Sequence, residues 1–282
     1  MSNSIKKKWQ LALIKSYKST EEIVNNHKIK PKTYKPHEIK KNTRKNFPTL
    51  APRSFVKNIN KNNLDDPLLL QILPTHLEKV EQPQSYSQDP LDEKKYSPIP
   101  GLIHKYKSRV LIINTTRCAI NCRYCFRRNF PYKDHKISKD NWIKICQYIR
   151  TKTDIKEVIF SGGDPLLMTD EQLKVRIDDI SCIANIKTIR FHSRIPIVLP
   201  ERIDSDFINL LDSFYKKFYK KHNNLINIII VIHCNHPNEL TSEIKDIILK
   251  LKKINIIIYN QAVLLKGVND SSEVQIALGK RI

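Results

Sequence analysis

The chain has 282 residues, which is long enough for one large domain or two small ones with a sizeable core. Its 50 Lys and Arg residues outnumber its 28 Asp and Glu residues, so the formal net charge is +22. The lysines are spread along the chain, so we interpret them as filling solvated faces. A basic nucleic-acid-binding surface is the minor alternative, because charge alone is a weak signal.

The N-terminus contains only a short, interrupted apolar patch, "WQLALI", after its first lysines, and no cleavage site of small residues follows it. No apolar run approaches the roughly 20 residues that a membrane span requires. The sequence therefore predicts a cytoplasmic protein that does not enter a membrane. In a reducing compartment, six cysteines are expected to be metal ligands, reactive groups or core residues rather than disulfides.

Residues 1–104 are predicted to form a mostly helical extension that ends in a linker. The stretch "DDPLLLQIL" predicts a helix, because Asp65 or Asp66 can cap it and Pro67 suits its first position. The stretch "YSQDPLDEKKYSPIPGL" is rich in turn residues and is interpreted as the linker.

Residues 105–282 alternate between apolar runs and amphipathic stretches. Five runs are predicted strands: "RVLIIN", "EVIFS", "TIRFHS", "NIIIVIH" and "NIIIYNQ". The helices between them include "TDEQLKVRIDDI", for which Thr169 is a plausible cap. Uniformly apolar strands with crossover helices predict an α/β fold with a parallel sheet, and a partial (β/α) barrel fits best. A doubly wound open sheet is the alternative.

Barrel enzymes place their functional groups where the strands end. The first predicted strand runs into "CAINCRYC", whose thiols belong to Cys118, Cys122 and Cys125. Three thiolates can bind a [4Fe–4S] cluster and leave its fourth iron open. A structural zinc ion would need a fourth ligand, and His135 is a candidate with an unfamiliar spacing. Three unrelated core cysteines are disfavoured, because arginines between and after them indicate an exposed loop. The other cysteines are interpreted as packing residues: Cys146, Cys182 and Cys234.

A cysteine pattern of this spacing after a first apolar strand resembles the signature of the radical S-adenosylmethionine superfamily. Tyr124 matches the aromatic residue that lies against the adenine in that superfamily. The turn "SGGDPL" after the second strand resembles its second motif, which approaches the amino group of the methionine moiety. The residues of this turn implied to bind the cofactor are Ser161, Gly162, Gly163 and Asp164.

Longer stretches resemble the lysine 2,3-aminomutase family of this superfamily: "PGLIHKYKSRVLIINTTRCAINCRYCFRRNFPY", "HSRIPIVLPERI", "HCNHPNE" and "NQAVLLKGVND". They look most like the branch that acts on the lysine of elongation factor P. The resemblance implies a [4Fe–4S] cluster, S-adenosylmethionine and pyridoxal phosphate as cofactors. It also implies conversion of a lysine to β-lysine and a flavodoxin- or ferredoxin-type reductant as a partner.

The resemblance assigns roles to five further residues. His233 and Gln261 match positions that contact S-adenosylmethionine, Tyr106 and Arg109 match positions near pyridoxal phosphate, and Arg127 matches the position that pairs with the substrate carboxylate. Each has an ordinary alternative; His233, for example, is also interpretable as a hydrogen-bonded core histidine.

The last residues, "SSEVQIALGKRI", depart from the family, which continues through a helix, a sixth parallel strand and a C-terminal segment. We expect these residues to form neither a strand nor a capped helix, and the lysine that binds pyridoxal phosphate to be absent. The resulting hypothesis is a truncated chain that retains the radical-generating half and has lost or impaired the aminomutase half. Two alternatives are a radical enzyme without pyridoxal phosphate and a basic RNA- or ribosome-binding protein on a relict barrel.

Overall fold

The computed structural model describes residues 6–27, 47–75, 78, 87, 89–222 and 226–282. Its centre is a six-stranded sheet in which the spatial order of the strands equals their order along the chain. The strands are β1 Leu102–Tyr106, β2 Arg109–Thr115, β3 Glu157–Gly162, β4 Thr188–Ser193, β5 Asn227–Ile232 and β6 Ile257–Asn260. Strands β2 to β6 are parallel, and β1 pairs antiparallel with β2.

The described α-helices are α1 Lys8–Ile14, α2 Thr20–His27, α3 Arg53–Val56, α4 Lys139–Thr151, α5 Asp170–Ser181, α6 Ile195–Val198, α7 Ser205–His222, α8 Ser242–Lys253 and α9 Ser272–Arg281. Helices α4, α5, α7 and α8 connect successive parallel strands. The predicted cap of α5 is present, since the Thr169 hydroxyl accepts a hydrogen bond from the Gln172 amide at the start of this helix. Among the described helices, none combines the length and apolar character that a membrane crossing requires.

The strand order distinguishes the two predicted architectures. Crossovers between parallel strands are right-handed, so strands that follow one another in chain order receive all their crossover helices on one face. A doubly wound sheet would need a reversal of strand order, which the described sheet lacks. The predicted α/β class and partial barrel are therefore confirmed. The sheet is open, and its second face, opposite the crossover helices, is called the groove face below.

The two faces of the sheet differ in chemistry. In β4, Ile189 and Phe191 are buried under the helices, and Phe191 stacks on Phe160 of β3 with ring centroids 5.1 Å apart. The alternate residues Arg190 and His192 point to the groove face, since successive strand side chains alternate between faces. Buried apolar packing therefore holds the sheet to its helices, whereas titratable groups face the groove.

Two predictions about the ends of the barrel region were wrong. The sheet has six strands rather than five, because "LIHKY" pairs with β2 as a hairpin strand instead of extending the linker. The predicted boundary between residues 104 and 105 falls inside this strand. The last residues form helix α9, whose cap is the Ser271 hydroxyl accepting from the Val274 amide at 3.3 Å. No described strand follows β6. The described sheet therefore reaches six strands through the antiparallel β1 at its other edge.

The predicted helix at residues 65–73 is also corrected. The segment forms successive turns rather than a regular helix. The expected capping interaction is nevertheless present, because Asp66 Oδ1 accepts from the amides of Leu68 at 2.9 Å and Leu69 at 3.1 Å. The cap and the proline therefore start helical turns, but these turns do not extend into a regular helix. The leucines of the segment pack into the main core.

Charged contacts attach helix α1 to the sheet region. Three carboxylates have oxygen atoms within 4.8 Å of one another: Asp170, Asp204 and Asp206. Lys7 pairs with Asp170 and with Asp206, the latter at 3.0 Å, and Nη2 of the fully buried Arg202 lies 2.8 Å from Asp170 Oδ1 in a further ion pair. These two cations offset most of the negative charge of the acidic group, so we interpret it as an anchor for the N-terminal extension.

Candidate functional site

The cysteine loop follows β2 and is held by backbone atoms of the N-terminal extension. The amide of Asn121 donates to the Leu50 carbonyl at 2.9 Å, and the amide of Arg123 donates to the Gln71 carbonyl at 2.9 Å. The loop itself is a series of turns, in which the Cys125 amide donates to the Cys122 carbonyl at 3.1 Å. Contacts from outside the barrel therefore contribute to the conformation of the predicted cluster ligands.

All three predicted ligands are free thiols of intermediate exposure. Burial raises the pKa of Cys118, and the nearby charges of Asp164, Cys122 and Cys125 raise it further. Burial and the charge of Cys122 also raise the pKa of Cys125. The structure thus brings the three thiols within electrostatic range of one another. Because Cys118 and Cys125 resist ionisation on their own, binding them as thiolates requires a strongly attracting metal centre.

The glycines of "SGGDPL" pack against the entrance of the cysteine loop. Gly162 has a φ of +106°, which side chains disfavour. A Cβ atom on Gly163 would lie 2.2 Å from the Arg117 carbonyl oxygen, and the Gly163 amide donates to the Thr115 carbonyl at 2.7 Å. The glycines therefore permit close backbone approach within the protein. Their predicted approach to a bound cofactor stays a prediction.

Asp164 joins the end of β3 to the end of β4. Its carboxylate accepts hydrogen bonds from Ser193 Oγ at 2.6 Å and from the amides of Arg194 at 2.7 Å and Ile195 at 3.1 Å. It also accepts from the amide of Leu166 at 3.1 Å. These contacts account for a structural role of the residue, and direct contact with a cofactor stays a prediction.

Tyr124 and His233 form a stacked pair beside the cysteine loop. Their ring centroids are 5.5 Å apart and their planes differ by 13°. Tyr124 Oη accepts from Arg194 Nη1, which also donates to Cys122 Sγ at 2.8 Å. The end of β4 is therefore connected directly to a predicted cluster ligand and to the predicted adenine-binding ring.

The motif assignments did not include Arg194 or its partner Glu239. Both side chains are buried, and Arg194 Nη2 lies 3.4 Å from Glu239 Oε2 and donates to Gln71 Oε1 at 2.8 Å. A signal was present in the sequence, since charged residues in "HSR" and "HPNE" follow apolar strands. Their partners are far away in sequence, so the network itself was not predictable from it.

Arg127 lies on the groove side of the cysteine loop with only 8% of its side chain exposed. It forms a two-pronged ion pair with Glu93 and donates from Nη1 to Ser161 Oγ at 3.0 Å. Its charge also contributes to the lowered pKa of His192 on β4. The predicted carboxylate-binding residue therefore lies beside the groove, next to the end of β3.

The two residues predicted to contact S-adenosylmethionine from β5 and β6 lie at the strand ends, as expected. The His233 amide donates to the Ser193 carbonyl at 3.1 Å, and the Gln261 amide donates to the Ile232 carbonyl at 2.9 Å. Among the residues that the structure describes, the buried Nε2 atoms of His192 and His233 have no hydrogen-bond partner. These two atoms are therefore available to a group bound at this edge of the sheet.

Tyr106 and Arg109 lie elsewhere. Arg109 begins β2 and the cysteine loop follows its end, so the strand separates them by about 20 Å, given roughly 3.3 Å per residue. The Arg109 guanidinium lies 5.2 Å from the centre of the Tyr106 ring and 3.9 Å from a Glu157 oxygen. The structure brings these two residues together with each other but not with the thiols. Their predicted contact with pyridoxal phosphate stays a prediction.

The two histidines predict a pH-dependent stability. Burial and the charge of Arg190 lower the pKa of His192 to about 4, and burial and the charge of Arg194 lower that of His233 to about 3. Unfolded histidines titrate near 6.5, so between these values the unfolded state binds more protons and stability falls as pH decreases.

We expect cluster-free protein to lose roughly 2–4 kcal/mol of unfolding free energy through this pair between pH 7 and pH 5. Urea unfolding at both pH values measures the loss. His192→Gln is expected to remove about half of it, because Gln keeps hydrogen bonding but does not titrate. An unchanged pH dependence in that variant would contradict the assignment.

The donor set fits an incomplete [4Fe–4S] ligand set. Three thiols on one loop provide three cluster ligands, and a carboxylate and two arginine side chains surround them without supplying a fourth thiol. The predicted zinc alternative is weaker in this geometry, because His135 Nδ1 is directed to the Gly101 amide at 3.4 Å. The two unpartnered imidazole nitrogens lie at neighbouring strand ends, on the same edge of the sheet.

Comparison with known proteins gives the same assignment. A family model described as the radical SAM superfamily matches residues 112–277. The L-lysine 2,3-aminomutase of Buchnera aphidicola subsp. Baizongia pistaciae is 39% identical over 277 residues, covering 98% of this chain and 78% of that protein.

Two further relatives carry the same name. The L-lysine 2,3-aminomutase of Haemophilus influenzae is 40% identical and is matched over 82% of this chain. That of Escherichia coli is also 40% identical, over 83% of this chain. The chain spans 65% of the length of each of these two proteins. On these similarities, the chain belongs to the lysine 2,3-aminomutase family of the radical SAM superfamily.

Proposed function

We propose that the chain takes part in the conversion of a lysine to β-lysine, with a [4Fe–4S] cluster, S-adenosylmethionine and pyridoxal phosphate as cofactors. Family membership implies the first two cofactors, and the names of the relatives imply the reaction. The single observation that carries the proposal is the placement of the buried Arg127 between the thiol loop and the groove. An arginine in this position suits the carboxylate of an amino acid.

When bound, the cofactors supply the radical chemistry and the migration of the amino group, and the protein supplies placement and exclusion of water. Cys118, Cys122 and Cys125 would hold the cluster. The stacked Tyr124 and His233 rings offer flat surfaces beside it.

Pyridoxal phosphate requires separate residues. We propose Tyr106 and Arg109 for its phosphate end, because an arginine suits a phosphate dianion and both residues are accessible. Lys266 and Lys280 are exposed lysines near the end of the chain, and nothing in their surroundings favours one of them as the aldehyde-binding amine.

The substrate is either free L-lysine or the lysine of a protein. The motifs resemble the elongation factor P branch, so we propose that the β-lysine serves that factor. A flavodoxin- or ferredoxin-type protein would provide the electron. The use of this reductant and of elongation factor P both fit the predicted cytoplasmic location. Assays with free L-lysine and with purified elongation factor P as the alternative substrates distinguish the two.

The deciding experiment is anaerobic reconstitution with iron and sulfide, followed by incubation with dithionite, S-adenosylmethionine, pyridoxal phosphate and L-lysine. Formation of both 5′-deoxyadenosine and β-lysine supports the full reaction. Formation of 5′-deoxyadenosine without β-lysine supports a radical enzyme whose aminomutase half is impaired. Colourless protein with salt-dependent RNA affinity would overturn the proposal in favour of the RNA-binding alternative.

A further inference from the structure

Glu93 lies in the linker before β1, in a short 3₁₀ turn of residues Glu93–Tyr96. The other residues of this turn are exposed, but only 7% of the Glu93 side chain is accessible. We propose that Glu93 is a positioning residue that orients Arg127 toward the carboxylate of the amino-acid substrate. This inference rests on the proposed function, because it requires Arg127 to receive that carboxylate.

The hydrogen bonds define which part of Arg127 remains available. Arg127 Nε donates to Glu93 Oε2 at 2.8 Å, and Nη2 donates to Oε1 at 2.6 Å. Nη1 donates to Ser161 Oγ at 3.0 Å. A guanidinium has five N–H groups, so these bonds leave one on Nη1 and one on Nη2. Two N–H groups on adjacent nitrogens match the two oxygens of a second carboxylate.

Aromatic rings restrict the same guanidinium further. Its central carbon lies 4.8 Å from the centre of the Phe126 ring and 6.0 Å from that of Phe130. Glu93 therefore acts on a side chain whose remaining freedom is small, and its fork-like pairing sets the rotation of the guanidinium plane. Without Glu93, Nε and one Nη2 proton of a buried cation would have no partner.

A buried ion pair is an inefficient way to stabilise a fold, because removing two charges from water costs free energy that apolar packing does not. The neighbouring pair of Asp92 and Lys95 shows the ordinary alternative, since both of its side chains are at least half exposed. The linker thus places one carboxylate in the interior, against the arginine beside the groove. A role of Glu93 in orienting the guanidinium of Arg127 accounts for the buried position of its carboxylate.

The test measures binding of two probes to the anaerobically reconstituted holoprotein by isothermal titration calorimetry. The probes are L-lysine and L-lysinamide, which lacks the carboxylate charge. Glu93→Gln keeps the size of the side chain but breaks one prong of the fork. Asp92→Asn is the matched control, because it removes one negative charge from the adjacent exposed position and Asn tolerates the positive φ of 51° there.

We expect Glu93→Gln to weaken L-lysine binding about tenfold or more, because disrupting one partner of a buried charge pair has effects of this size. L-lysinamide binding should change less than about twofold, and Asp92→Asn should match the wild type for both probes. Glu93→Asp, which retains the charge on a shorter side chain, is expected to show the same selective loss. It provides the test if Glu93→Gln does not fold.

Two other outcomes overturn the inference. Equal weakening of both probes would show that Glu93 only maintains the local structure, and unchanged L-lysine binding would show that Arg127 needs no orientation. Both leave the proposed function intact, since the wild type binds L-lysine in each case. Wild-type protein with a full cluster that binds no L-lysine would instead overturn the proposed function and this inference together.

Discussion

Replacing Cys122 with Ala is expected to abolish stable [4Fe–4S] binding and, with it, reductive cleavage of S-adenosylmethionine. The remaining thiols of Cys118 and Cys125 hold only two of the three irons, and alanine cannot act as a ligand. Burial raises the pKa of both remaining thiols, so they ionise less readily without a fully bound metal. Iron and sulfide analysis after anaerobic reconstitution measures the effect, together with the visible absorption of the cluster.

Cys182 provides the matched control for this variant. It was predicted to be a packing residue, but its side chain is exposed, because it lies at the C-terminal cap of α5 rather than on the apolar face. Cys182→Ala should therefore retain about four irons per chain, as a single intact cluster requires. A wild-type iron content in Cys122→Ala, or an equal loss in both variants, would refute the assignment of the thiol loop as the cluster site.

Replacing Gly163 with Ala is expected to destabilise the protein by about 3 kcal/mol or more, at the upper end of overpacking effects. The added Cβ would lie 2.2 Å from the Arg117 carbonyl oxygen and 2.6 Å from its backbone nitrogen and carbon. Backbone atoms cannot rotate away as a flexible side chain can, so the turn and the cysteine loop must separate. Urea unfolding measures the stability, and iron content reports the damage to the loop.

Gly279 in helix α9 is the control for the same chemical change. Apart from its chain neighbours and the backbone of its own helix, no atom lies within 4 Å of the position that its Cβ would occupy, and its φ is not positive. Gly279→Ala should increase stability by roughly 0.5–1 kcal/mol, because alanine favours the helix more than glycine does. Similar stabilities for the two alanine variants would contradict the close approach between Gly163 and the cysteine loop.

The repeating part of the fold was predictable because its signals are local. Most of the parallel strands are apolar runs, and β4 alternates apolar with polar residues. Helix α8 shows its buried face as Ile244, Ile247, Ile248 and Leu251 at helical spacing. The cysteine spacing is likewise contained in eight residues. The hairpin strand β1 was missed because "LIHKY" mixes apolar and charged residues and takes its pairing from β2.

The polar contacts around the site were not predictable, because their partners lie far apart in the chain. Glu93 and Arg127 are 34 residues apart, and Gln71 and Arg194 are 123 residues apart. Periodicity does not encode such pairs, and only the folded chain brings them together. The glycines of "SGGDPL" illustrate the same limit: the sequence indicated a tight approach, and the structure shows protein backbone as the approaching group.

The two backbone hydrogen bonds from Leu50 and Gln71 to the cysteine loop have a consequence for biosynthesis. These residues leave the ribosome before the thiols do, yet the barrel that supports the other side of the loop is completed only after β6. The contacts that support the cysteine loop are therefore synthesised in two stages, one before the thiols and one after them, and the loop is fully supported only when the whole sheet has formed.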